Sequence, residues 1–231
     1  MRPGKAPAVA PRHSPQPPLP ALAFVEKLLR SKAFVVTLIV LPGLWPAWPI
    51  LRHDPTVLAD PLKYVLHHLG FVACLLLVTV LTFTPLRVLF PKWGVAQALN
   101  RHRRLVGVSA FVYAALHFTT HLVYEGGFHV LASDIGKPFL VSGLLALAIL
   151  LVLAVTSLHV FLRWLGGKRW KRLHRLAYVA AALVAYHQIY AHKLFPPQVL
   201  WIFVPLVLLE AGRFVRQQAK KKASARPAPA G

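Results

Sequence analysis

Residues 139–162 read FLVSGLLALAILLVLAVTSLHVFL, a run without Asp, Glu, Lys or Arg. Crossing the ~30 Å hydrocarbon core of a bilayer as an α-helix takes about 20 such residues. The run lacks the strict alternation of a barrel strand and far exceeds the roughly 9–11 residues a tilted strand needs. It reads as a membrane helix. Working outward, similar segments lie at 33–51, 64–84, 105–124, 176–195 and 199–212. Each is closed by charge or by pairs such as Asp54-Pro55, Pro91-Lys92, Gly126-Gly127, Gly166-Gly167 and Pro196-Pro197. Six spans are expected, the first kinked or partly unwound because Pro42, Pro46 and Pro49 interrupt it. No internal repeat is evident.

Composition agrees. Of 231 residues 57% are hydrophobic and 14% charged, against about 25% charged in soluble domains. Lys and Arg number 27 and Asp and Glu 6, a balance that in a soluble chain would suggest nucleic acid. Placed between the six segments, 23 of the 27 basic residues fall in alternate compartments and 4 in the others. That is the positive-inside pattern of a multi-pass protein with both termini cytoplasmic; nucleic acid is not expected as a partner. The basic clusters Arg101-His102-Arg103-Arg104 and Lys168-Arg169-Trp170-Lys171-Arg172 read as anchors to membrane lipid phosphates.

The expected fold is an all-α integral membrane protein, a six-helix transmembrane bundle. Residues 1–32 are read as a disordered, basic, Pro-rich tail, since seven prolines fall within residues 1–20. Residues 33–212 form the membrane domain and 213–231 a basic C-terminal tail. Nineteen residues follow position 212, far fewer than the ~100–150 of a typical domain. A fused flavin or nicotinamide domain is therefore not expected.

Cys74 is the single cysteine, so a disulfide framework, a cysteine zinc site and an iron–sulfur cluster are excluded within the chain. A redox cofactor must be held by histidine, of which there are 12. His117 and His187 each lie twelve or thirteen residues past a basic boundary, roughly 18 Å deep at 1.5 Å per residue. Two histidines on different helices thus reach one depth. Such residues are costly in hydrocarbon unless paired or ligating, and neutral imidazole is a heme axial ligand. One heme b between the third and fifth spans fits. His174 lies 13 residues before His187, about 20 Å lower and about 140° out of alignment on an ideal helix. It can serve a second heme or support the first. His121 shares the face of His117 and can replace it. His67 and His68 are near enough to contribute to an outer site, and His102 and His159 to an inner one. His159 is expected to end the fourth span. Two readings from other classes remain, a small transporter or channel with structural histidines and a histidine-box di-iron oxygenase. The first lacks span carboxylates other than Glu210; the second lacks the further boxes it requires.

Assembled in order, these residues resemble a known family. Ala59-Asp60-Pro61-Leu62-Lys63, His67, Thr84-Pro85-Leu86-Arg87 and Arg103-Arg104-Leu105-Val106-Gly107 lead to Ala115-Leu116-His117. Lys137-Pro138-Phe139, Thr156-Ser157, Leu173-His174-Arg175-Leu176-Ala177-Tyr178 and His187 follow. Over about residues 30–215 the chain is similar to the MsrQ (YedZ) heme-binding membrane subunits of the protein-methionine-sulfoxide reductase system, within the ferric-reductase-like transmembrane group. The resemblance implies that His117, His174 and His187 bind heme b iron. It implies transfer of electrons from quinone to a periplasmic molybdopterin-containing methionine-sulfoxide reductase subunit in the bacterial inner membrane. Catalysis then lies in that partner and not in this chain. FMN is a further cofactor on the same ground.

Overall fold

The computed structural model describes residues 20–192 and 194–224. Among them the chain is helical, with no strand. The elements are α1 (Pro20–Arg30), α2 (Lys32–Leu44), α3 (Ala47–Leu51), α4 (Pro55–Leu58), α5 (Pro61–Leu89) and α6 (Gly94–Arg101). They continue as α7 (Arg103–Glu125), α8 (Phe128–Asp134), α9 (Pro138–Thr156), α10 (His159–Leu173), α11 (Leu176–Tyr190) and α12 (Gln198–Ser224). Four of these, α5, α7, α9 and α12, are long and apolar enough to cross a membrane, whereas α2 and α11 are shorter apolar helices.

Alpha-helix α5 is the axis of the bundle. Cys74, Leu77, Val78 and Leu81 on it are buried against Ala110 of α7, Leu150 of α9, Ala180 and Ala181 of α11 and Leu206 of α12. Ala110 and Ala180 have no exposed surface. Small side chains at these crossings let the backbones approach closely, which is how helices pack where lipid supplies no hydrophobic drive. The closest partnerships are α5 with α7 and α9 with α11. Outward faces carry large apolar residues, among them Leu116 and Val123 on α7 and Trp201, Val207 and Leu208 on α12. Such a surface suits lipid.

The segment expected as the first span is broken into α2 and α3 where its prolines require. Pro46 has no N–H to give to the carbonyl four residues earlier, and that carbonyl, of Pro42, accepts a 2.6 Å bond from His68 Nε2. Beside it, Tyr113 Oη donates to the Ile39 carbonyl at 2.7 Å. At the start of α5 the Asp60 side chain accepts from the Lys63 amide at 3.1 Å. Tyr124 at the end of α7 donates to the same carboxylate at 3.2 Å.

Three expectations are corrected. The tail read over 1–32 is helical from Pro20. The last of the seven prolines stands at the first helical position, where a missing N–H costs nothing. The helix it opens packs against α6, with the Glu26 carboxylate paired to Arg30 and set over Gly94 at the start of α6; residues 1–19 lie outside the described residues. The fourth span stops at Thr156, not Leu162. Thr156 Oγ1 and Ser157 Oγ bond back to the carbonyls of Val152 and Leu153 at 2.7 and 2.8 Å, a competition that weakens a helix end. The separate α10 follows, bent at Gly166, whose φ of 69° suits glycine. Residues 213–224 continue α12 and are not a separate tail; 225–231 lie outside the described residues.

Candidate functional site

Histidines 117 and 187 meet inside the bundle. Their ring centroids are 6.1 Å apart and the ring planes cross at 84°. His117 reaches from α7 to α5, where its Nδ1 lies 2.9 Å from the Leu66 carbonyl. His187 reaches from α11 to α9, where its Nδ1 lies 2.8 Å from the Phe139 carbonyl. A carbonyl only accepts, so both Nδ1 atoms carry the proton and both Nε2 atoms keep a lone pair. Glycine stands behind each ring. A Cβ on Gly70 would lie 2.8 Å from His117 Nδ1, and one on Gly143 would lie 2.8 Å from His187 Nδ1.

These residues fit a metal centre with two imidazoles and no free thiolate or carboxylate. Metal–imidazole bonds run about 2.0–2.1 Å; with about 1 Å from each nitrogen to its ring centre, one metal between two rings separates the centres by roughly 6 Å. The observed 6.1 Å agrees. The bond from each Nδ1 to a backbone carbonyl is the support that fixes tautomer and orientation in metal-ligating histidines.

His174 stands apart from this pair. It occupies the turn between α10 and α11, stacked on Trp170 at 3.9 Å between centroids. Its Nε2 is 3.4 Å from Thr156 Oγ1, and Trp170 Nε1 donates to the Thr156 carbonyl at 3.0 Å. Burial, with the Arg103 charge adding to it, pushes the His174 imidazole down to about 4. It is therefore neutral at ordinary pH. The chain is not one continuous helix from His174 to His187, so the 140° misalignment expected for an ideal helix does not apply.

The other histidines have duties of their own. His102 Nε2 bonds to the Leu29 carbonyl at 3.0 Å. His159 opens α10 instead of ending a span, and its ring nitrogens lie 3.2 and 3.3 Å from Arg104 Nη1. His68 holds Pro42, as above. His67 bonds through Nδ1 to the Lys63 carbonyl at 2.8 Å and faces His192 at 5.9 Å. His121 lies one turn beyond His117 on α7, and the ring set against His187 is that of His117. Glu210 is paired with Arg213 at 2.7 Å and accepts from the Tyr178 hydroxyl at 2.9 Å. Among the described residues no group of three or more His, Cys, Asp and Glu side chains is placed to hold a metal ion, as a di-iron box would need.

Sequence reading did not single out Gly70 and Gly143. A signal existed: glycine inside a helix costs about 1 kcal/mol against alanine, so each needs a packing reason. Trp170 stood out only as part of a basic cluster, although its spacing of four from His174 is the spacing of side-chain neighbours on a helix.

Comparison with known proteins is consistent with this geometry. The ferric reductase like transmembrane component family matches residues 69–185. The protein-methionine-sulfoxide reductase heme-binding subunit MsrQ of Brucella anthropi is 36% identical over 203 residues, covering 85% of this chain and 89% of the relative. Those of Salmonella arizonae and Salmonella newport are each 36% identical over 174 residues, covering 73% of this chain and 84% of theirs. No solved structure matches the chain. The chain belongs to the MsrQ family of heme-binding subunits, within the ferric-reductase-like transmembrane proteins.

Proposed function

We propose that this MsrQ-family chain carries electrons across the bacterial inner membrane. They come from the quinone pool and go to a periplasmic molybdopterin-containing reductase subunit that repairs methionine sulfoxide in proteins. The observation that carries the reading is the half-buried pair His117 and His187, each with Nδ1 spent on a carbonyl and Nε2 keeping its lone pair. Bound between them, heme b would supply a one-electron iron couple. Iron held by both imidazoles would suit electron transfer and not oxygen chemistry. Ala110 and Ala180 close the helix crossings seven residues before each histidine. His174, neutral and stacked on Trp170, is a third heme-associated residue on the other side of the bundle. FMN comes only from the family resemblance, and we assign it no residues.

The topology proposed is six spans with both termini cytoplasmic: α2–α3, α5, α7, α9, α11 and α12. The membrane domain then covers residues 33–212, preceded by α1. The connections after the first, third and fifth spans face the periplasm, where the partner docks. In this arrangement α7 and α11 run outward together and carry His117 and His187 to the outer half. The 23-to-4 partition of basic residues supports this orientation. Catalysis is assigned to the partner, with this chain as its electron-transfer subunit.

The test is reoxidation of the reduced, heme-loaded chain. Its reduced visible bands should bleach when the periplasmic partner and a methionine-sulfoxide protein are added together, and not with the sulfoxide alone. Reoxidation by the sulfoxide without the partner would make this chain itself the reductase and overturn the assignment.

A further inference from the structure

The two halves of the site are built alike. In each, a histidine reaches across to the neighbouring long helix and places Nδ1 on the carbonyl of one residue there. Four positions further along that helix stands a glycine. The sets are Leu66, Gly70 and His117, and Phe139, Gly143 and His187. The spacing has a physical origin. In an α-helix the carbonyl of residue i already accepts the N–H of residue i+4, which here is the glycine. The imidazole N–H must come in over that same residue, and any side chain there stands in its way; the halves differ in that the Phe139 carbonyl also accepts from the Ser142 hydroxyl at 2.8 Å.

Resting on the function proposed above, we infer that Gly70 and Gly143 are positioning residues for the two ligand imidazoles. They leave open the path by which each Nδ1–H reaches its carbonyl. An alanine methyl at Gly70 would lie 2.8 Å from Nδ1 and 2.9 Å from Cε1 of His117. At Gly143 it would lie 2.8 and 3.0 Å from the same atoms of His187. These approaches are closer than a carbon can make to a ring, and the ring cannot swing clear without giving up its bond at 2.9 or 2.8 Å. That bond makes the imidazole a more basic ligand and so favours the ferric state. Its loss raises the midpoint potential. The glycines therefore set both the seat of the cofactor and its potential.

The experiment compares Gly70→Ala, Gly143→Ala and Gly107→Ala in the full chain, purified with heme. Gly107 is also a helical glycine, on α7, but a Cβ there meets nothing closer than Val80 at 3.9 Å. Heme per polypeptide, by pyridine hemochrome, and midpoint potential, by redox titration, are the readouts. Gly70→Ala and Gly143→Ala should each lower heme occupancy and move the remaining potential in the positive direction, while Gly107→Ala changes neither. Wild-type occupancy and potential in both site variants would overturn the inference.

If a site variant accumulates poorly, the same change is made in a His117→Ala background. There Gly70→Ala should do no further harm, because the ring it strikes is gone, whereas equal harm with and without the ring would overturn the inference. Failure of the underlying reading looks different: the wild-type chain would bind no heme, or His117→Ala would keep its full complement.

Discussion

At the scale of single residues, polar atoms decide the arrangement. His117 and His187 are oriented by carbonyls on other helices, His174 by the ring of Trp170 and the Thr156 hydroxyl. His174 thus has a seat of its own, apart from the pair. His174→Ala is expected to lower heme stoichiometry or to abolish reduction by quinol while leaving the His117–His187 centre spectrally intact. Unchanged stoichiometry with unchanged quinol reduction would reduce His174 to a packing residue. Equal distance past a basic boundary on two helices made the meeting of His117 and His187 legible in the sequence. The separation of His174 was only partly so, since the expected misfit of faces assumed a continuous helix. The glycines left no trace in periodicity because they have no side chain to pattern.

At the scale of helices, apolar length and Pro or charge punctuation located α5, α7, α9 and α12, the four long and apolar enough to cross a membrane, and those signals are local. What they missed depends on distant partners. Helix α1 forms because α6 is there to receive it, and α9 ends early because the hydroxyls of Thr156 and Ser157 turn back on the carbonyls of Val152 and Leu153. Close crossings around α5 depend on alanines at its contacts. Ala110 is fully buried in the cluster with Cys74, Leu77 and Ala180. Ala110→Leu should therefore overpack it and cost about 1–3 kcal/mol. A lower temperature of heme release in detergent would register the loss, and an unchanged one would mean that the α5–α7 crossing is looser than its burial indicates.

At the scale of the whole molecule, the uneven placement of basic residues gives the orientation proposed for the bundle. Cys74 is the single cysteine and is buried at 2% exposure, so introduced thiols can be read against a quiet background. Gly136→Cys, in the connection between α8 and α9, should react with a membrane-impermeant maleimide added to intact spheroplasts. Lys168→Cys, in α10, should react only after permeabilisation. The reverse pattern would invert the molecule and move the proposed docking face to the cytoplasm.

The crossed anchoring of the two imidazoles has a kinetic meaning. Each ring is carried by one helix and tethered to another, so four helices, α5, α7, α9 and α11, fix the pair. Close-packed interiors yield little to local forces. On the function proposed above, ligands held this firmly would keep nearly the same positions whether or not a centre between them held an extra electron. The reorganisation energy of such a centre would be small. An electron would then cross it on a slight difference in potential, leaving the driving force between donor and acceptor for the chemistry at the far end.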